Sequence, residues 1–459
     1  MSDPLQHQLQ SLKTYFETGA TKGYEFRRTQ LTLLKNAILQ YEKELHAALY
    51  SDLKKSEEEC WVTETGFLIA EINHTLKHLK SWMKPERVKT NLLNFPSKSY
   101  VYKEPLGVVL IIGPWNYPLQ LLFAPLIGAI AAGNGAVVKP SVYASATAEV
   151  MGKMIEATFP KEYILYVQGE GHIVVPEMMN SFRFDHVFYT GSTEVGRLVY
   201  ELAAKKLVPV TLELGGKSPC IVESDANIKV AAKRIAVTKF SNAGQMCVAP
   251  DHVLVHESVK DKLIAALKET IKQFFTEEPA SSYNYGKIIN KTHFDRLVSY
   301  IKHGRIIHGG KYDAGTFFIE PTLIEDVSLN TAVMGEEIFG PLLPIIPFSS
   351  FEEAKAIIDR NPNPLAFYVF TESNETEDRW LNAVPFGGGC VNNASWHLTN
   401  PNLPFGGRGN SGIGAYHGKA SFDTFSHKKS IMKTPTWFDP SVKYPPFQGK
   451  LNLFKKVIK

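Results

Sequence analysis

The sequence predicts an α/β fold of two sheet-forming units, with an extended excursion set apart from both. Short apolar, β-branched runs alternate with longer helical stretches from residue 106 onward, the pattern of a parallel sheet covered on both faces. The alternation halts near residue 212 and then begins again. The 459 residues leave room for two to four domains at roughly 100–200 residues each.

The elements follow in order. Residues 3–50 and 57–84 are expected to be helical, because Leu31, Leu34 and Ile38 recur at helical spacing with charges on the other faces. Residues 86–105, containing Tyr100-Val101-Tyr102, fit neither unit and read as an extended excursion. The first unit has strands expected at Val108–Ile112, Ala136–Val138, Ile164–Val167, His186–Tyr189 and Val208–Leu212, with helices at 117–132, 144–158 and 193–205. The second has strands expected at Pro219–Val222, His252–His256, Pro341–Phe348, Leu365–Phe370 and Gly389–Asn392, with helices at 226–240, 257–275 and 350–360. The final 60 residues are rich in Gly and Pro and are expected to wrap the outside.

Composition excludes several classes. Hydrophobic residues at 44% and charged residues at 21% describe a globular chain, not a disordered one. A net charge of +4, with no arginine-rich tract or zinc-finger spacing, gives no footprint for nucleic acid. The four cysteines, Cys60, Cys220, Cys247 and Cys390, lie too far apart for a redox pair or a disulfide scaffold. Met1 to Gln10 lacks the apolar core of a signal peptide, so a cytoplasmic location is expected. The 34 uncharged residues between Glu104 and Lys139 are long enough to span a bilayer, but Gly113-Pro114-Trp115-Asn116-Tyr117-Pro118 interrupts them. They read as a buried strand, a turn and a buried helix ending at Gly133. The stretch Leu451 to Lys459 is too short to span, so no stable membrane insertion is expected.

Five motifs carry chemistry. Glu213, followed by Gly215-Gly216, ends a strand, where a desolvated carboxylate suits a general base; a helix cap is the bland alternative. Cys247 follows Phe240-Ser241-Asn242-Ala243-Gly244-Gln245-Met246 and is a candidate nucleophile, although a lone Cys is usually inert core. Asn116 offers an amide donor for an oxyanion, or else a helix N-cap. Gly191-Ser192-Thr193-Glu194-Val195-Gly196 places glycine and a helix start after a strand, as a phosphate site requires, but matches neither dinucleotide nor P-loop spacing. Glu337 and Phe339, in Glu336-Glu337-Ile338-Phe339-Gly340-Pro341, suit a ribose and a flat ring, or merely a loop entering a strand. His397, His417 and His427 have no companion at ligand spacing and are expected to be structural, with no metal.

All five motifs in this one order resemble the aldehyde dehydrogenase superfamily, over about residues 20 to 450. Pro404-Phe405-Gly406-Gly407, Ser411 to Lys419, Phe422 to His427 and Tyr444-Pro445-Pro446 resemble its class 3 branch, which acts on fatty and aromatic aldehydes. The resemblance implies a Rossmann-like cofactor domain, a second α/β catalytic domain and an extended oligomerisation arm. The corresponding ranges are 1–85 with 106–212, then 213–395, and 86–105 with 396–459. It implies Cys247 as nucleophile, Glu213 as base and Asn116 as oxyanion donor. The 34-residue spacing of Glu213 and Cys247 agrees with the family. It also implies that Lys139 and Ser141 face the adenosine ribose, that Gly191 to Gly196 face the pyrophosphate, and that Glu337 and Phe339 face the nicotinamide end. The implied cofactor is NAD or NADP, and the implied assembly a homodimer. Val142 stands where the family commonly has a ribose-binding Glu, so use of both cofactors is expected. Trp115, Tyr117 and Met246 adjoin the catalytic positions and are expected to form an apolar funnel for the aldehyde. A cofactor-independent thiol esterase and a non-catalytic scaffold are the rival functions. A CoA-acylating enzyme is the rival within the class, and Glu213 favours water as acyl acceptor.

Overall fold

The computed structural model describes residues 3–458; Met1, Ser2 and Lys459, at the ends of the terminal stretches discussed above, lie outside them. The alternating pattern resolves into two sheets. In the first, the strand order is 412–413, 210–213, 186–190, 108–112, 135–139, 164–166. Five strands run parallel, and Gly412–Ile413 closes the edge antiparallel to Val210–Glu213. Val108–Ile112 is buried along its whole length, which its continuous β-branched run anticipates. The chain winds outward in both directions from the adjacent strands 108–112 and 186–190. The crevice beyond their carboxyl ends is therefore a topological switch point, where such sheets bind ligands.

The second sheet has seven strands, ordered 305–308, 322–325, 342–348, 252–256, 219–222, 366–370, 388–391. Five are those expected. Arg305–His308 and Thr322–Glu325 are additional; both are short and flanked by Gly or Pro, which hides their period. The excursion forms strands Glu86–Val88 and Lys98–Pro105, and the latter pairs antiparallel with Ser426–Lys433.

The N-terminal region is a series of helices, Asp3–Glu17, Tyr24–Gln40, Glu42–Leu53 and Gly66–Trp82, with a π-helical turn at Trp61–Thr65. Asp52 ties this region to the first sheet by accepting bonds from the Ala146 and Thr147 backbone N–H groups of helix Ser145–Thr158. Helix Gln120–Ala132 is buried on all sides and stops at Gly133, whose φ of +91° only glycine adopts without strain. Among the described residues, no helix is long and apolar enough to cross a membrane. The C-terminal segment does not simply wrap the outside, because Gly412–Ile413 enters the first sheet. The two residues are too short a run to show a period.

Candidate active site

Cys247 lies where two cavities meet. One, of about 210 Å³, is lined by Asn116, Gly191, Ser192, Glu213, Glu337 and Phe339 among others. The other, of about 170 Å³, is largely apolar and includes Phe67, Tyr117, Leu121, Met246, Trp396 and Tyr416. Cys247 and Glu213 line both. Burial, followed by the Glu337 and Glu213 carboxylates, pushes the Cys247 thiol above its ordinary pKa.

The loop before Cys247 is locked. Asn242 and Ala243 take left-handed φ values of 50° and 51°. Gly244, at φ +75°, passes so close to Gly340 that a Cβ would lie 2.3 Å from its carbonyl oxygen. The Gln245 side chain donates to the Asn242 and Lys287 carbonyls and accepts from the Ile289 N–H. Tyr368 donates to the Val248 carbonyl at 2.6 Å.

Glu213 is held at its strand end between Thr190 and Gly412. Both carboxylate oxygens are buried without a hydrogen-bond partner, so it caps no helix. Burial raises its pKa well above the ordinary carboxylate range. Asn116 is no N-cap either. The helix starts at Gln120, and Asn116 Nδ2 donates to the Gln245 carbonyl at 3.0 Å, tying it to the loop before Cys247. That bond uses one of its two amide hydrogens.

Glu337 is anchored through its backbone. Arg296 donates to the Glu337 and Ile338 carbonyls, and Asp251 accepts from the Ile338 N–H. Lys217 forms a buried ion pair with Asp251 and donates to the Glu336 carbonyl. The side chain needs Gly215, where a Cβ would fall 1.8 Å from Glu337 Oε2. Glu337 Oε1 is buried with no partner, an orphaned acceptor at the cleft that fits a ribose hydroxyl. Burial raises the Glu337 pKa to about 8.

The cleft continues into a groove of about 500 Å³ at the switch point, lined by Lys139, Ser141, Val142, Glu170, Gly191 and Val195 among others. Helix Thr193–Ala204 points its N-terminus here, with Ser192 as its cap. The exposed N–H groups of a helix N-terminus, a buried cation at Lys139 and the Glu337 acceptor together suit an extended dinucleotide. Glu194 is exposed on the first helical turn. Gly196 packs on Leu214, whose Cδ2 would be 2.6 Å from a Cβ there, so it is a packing glycine rather than a groove residue.

A second placement also corrects the sequence expectation. Trp115 does not line the apolar cavity; its ring packs 4.9 Å from His293 and 5.3 Å from Phe339, on the cofactor-side cleft. Tyr117, two residues on, faces the apolar cavity, while Trp115 and Asn116 face the other cleft. Several lining residues carry no local motif. Val62, Thr63 and Phe67 come from the N-terminal helices, and Trp396, Phe405 and Tyr416 from the C-terminal segment. His293 and Arg296 come from helix Lys291–Tyr300.

Comparison with known proteins shows the family. The model of the aldehyde dehydrogenase family matches residues 6–431. The chain is 48% identical over 449 residues to the 4,4'-diaponeurosporen-aldehyde dehydrogenase of Staphylococcus aureus (strain NCTC 8325 / PS 47), covering 97% of each. It is 42% identical over 438 residues to the dimeric, NADP-preferring aldehyde dehydrogenase of Rattus norvegicus, covering 95% of this chain and 96% of that one. The solved substrate-bound state of Staphylococcus aureus AldH matches with a TM-score of 0.97 and 47% identity over 99% of both chains. The chain belongs to the aldehyde dehydrogenase family, in its class 3-like branch, and oxidises an aldehyde to the carboxylic acid with NAD or NADP.

Proposed function

We propose that Cys247 is the nucleophile, Glu213 the hydrolytic base and Asn116 the side-chain oxyanion donor, acting on a medium- or long-chain aliphatic or an aromatic aldehyde. The supporting observation is the position of Cys247, at the junction of an apolar cavity and a cleft containing an unpartnered acid and a half-free amide. The Cys247 thiol loses its proton to water, its sulfur bonds to the aldehyde carbon, and the carbonyl oxygen becomes an anion held by the Asn116 amide and the Cys247 backbone N–H. NAD or NADP, its nicotinamide end held by Glu337 and Phe339, would supply the hydride acceptor when bound. The remaining acyl group is a thioester on Cys247. Glu213 takes a proton from water, the water oxygen attacks the acyl carbon, and the C–S bond breaks to release the acid.

In this reading Lys139, Ser141 and Gly191 to Val195 hold the adenosine and pyrophosphate, and Glu337 with Phe339 holds the nicotinamide end. Residues 1–85 and 106–212 form the cofactor domain and 213–395 the catalytic domain. Residues 86–105 and 396–459 form the arm of a cytoplasmic homodimer, the latter range also supplying the wall of the apolar cavity. The dimeric, NADP-preferring rat relative supports both the dimer and the use of NADP.

Two experiments test the roles. Cys247→Ser should abolish oxidation with cofactor affinity intact. Glu213→Gln should give a burst of reduced cofactor near one per active site, then stall. Normal steady turnover in Glu213→Gln would refute its role as base. For substrate class, the apolar cavity has no lysine or arginine in its described lining. Hexanal and benzaldehyde should therefore be preferred over acetaldehyde and over a carboxylate-bearing semialdehyde, and the reverse order would refute the proposed class.

A further inference from the structure

Beneath the Asn116 turn lies a buried charge that the mechanism does not use. Lys55 is fully enclosed; its Nζ donates to Glu64 Oε1 at 2.7 Å and to the Asn116 carbonyl at 3.0 Å. The same ammonium sits 3.8 Å from the centroid of the Tyr117 ring. Glu64 Oε2 accepts from the Gln120 N–H, the first residue of the buried helix, at 2.8 Å. The Asn116 carbonyl also accepts from Asn242 Nδ2 at 2.8 Å, and the Asn242 N–H donates to Glu59 Oε1 at 2.8 Å. Three segments, 55–64, 116–120 and 242–245, thus lock at one peptide oxygen.

Glu64 reaches this point through the π-helical turn Trp61–Thr65, where the Gly66 N–H donates to the Trp61 carbonyl. The widened turn places Glu64 inside while Val62 and Thr63 line the apolar cavity at Cys247. Such insertions recur at functional sites. A buried ion pair is poor evidence for stability, since an apolar pair of similar volume often serves as well.

We propose that Lys55, paired with Glu64, is a positioning residue for the acylation step. It fixes the Asn116 peptide so that the amide hydrogen left over from the Gln245 bond meets the forming oxyanion. The proposal rests on the oxyanion role of Asn116, and a double-mutant cycle separates the two.

The burst rate of reduced cofactor is measured at saturating aldehyde and cofactor in Lys55→Met, Asn116→Ala and the double variant. Asn116→Ala should slow the burst about 100-fold, as loss of one oxyanion donor does elsewhere. Lys55→Met should slow it about tenfold, with aldehyde KM and cofactor Kd within about twofold of the parent. In the Asn116→Ala background, Lys55→Met should slow the burst no more than about twofold further, because both act through one amide. Lys55→Arg, which keeps the charge, should restore part of the rate. If Lys55→Met leaves Glu64 uncompensated and does not fold, Lys55→Met/Glu64→Leu takes its place. A burst within about threefold of the parent, or a full tenfold loss repeated in the Asn116→Ala background, overturns the proposal. Failure of both Lys55 variants to fold assigns the pair to stability and overturns it too. A normal burst in Asn116→Ala removes the oxyanion reading itself, and the proposal with it.

Discussion

Glu213 has two opposite effects because of one property. Its burial without partners raises the carboxyl pKa, so the folded chain holds a proton that the unfolded chain has lost. The group's contribution to stability is therefore greatest at acid pH and falls as pH rises above the ordinary carboxylate value. The base role proposed for Glu213 needs the ionised form, so turnover should rise with pH over the same range. Glu213→Gln should flatten that rise. It should also melt higher than the parent at about pH 8, by about 1–3 kcal/mol, with the gap closing toward about pH 5. Equal melting of the two proteins at both pH values would contradict this. Glu213 and Cys247 were legible in the sequence because each ends a strand or follows a glycine loop. Lys55 was not. A lysine in the short link between two helical stretches reads as solvent-facing, and only the packing of three distant segments encloses it.

The loop before Cys247 shows how an element can depend on one backbone position. An alanine at 244 would need a left-handed φ, costing about 1–2 kcal/mol, and its Cβ would collide with the Gly340 carbonyl. Gly244→Ala should lose at least about 2 kcal/mol of stability in chemical denaturation and most of its burst. A fully active, equally stable variant would show that the loop moves freely. The adenosine groove makes a different case. Val142 and Glu170 both line it, and the Glu170 carboxylate is near enough to act on Lys139. Val142 neither accepts a ribose bond nor repels a 2′-phosphate, so NADP should be used with kcat/KM within about tenfold of NAD. Val142→Glu should shift the ratio toward NAD, and Glu170→Gln should shift it toward NADP. A preference for NAD above about 100-fold in the parent would mean that Val142 does not set the choice. Val142 could be read from the motif. Glu170 could not, because it enters from the loop before helix Gly171–Ser181.

At the scale of the whole molecule, the long apolar strands and helices were legible because their period survives. The strand pairing 98–105 with 426–433 was not, since it joins segments more than 300 residues apart whose exposed faces carry mixed charge. Exposed Leu92, Phe95, Trp437 and Phe447 lie in and around these segments. Apolar surface of this kind suits a subunit interface. Sedimentation equilibrium should give about twice the chain mass of 51.3 kDa. A monomer at micromolar concentration would refute the homodimer.

The pairing of Gly412 with Glu213 also carries a consequence in time. The Glu213 carboxylate lies on a strand made before residue 214, yet its outer neighbour Gly412 is made about 200 residues later. Phe405, Tyr416 and His417, which wall the cavity beside Cys247, are made about 160–170 residues after the thiol they enclose. On a ribosome adding about 5–20 residues per second, Cys247 spends on the order of ten seconds in a chain that cannot yet complete its pocket. A growing polypeptide therefore carries the proposed nucleophile without the walls proposed to select its aldehyde. Among nascent chains, those halted before residue 400 should be the ones whose Cys247 is open to indiscriminate electrophiles.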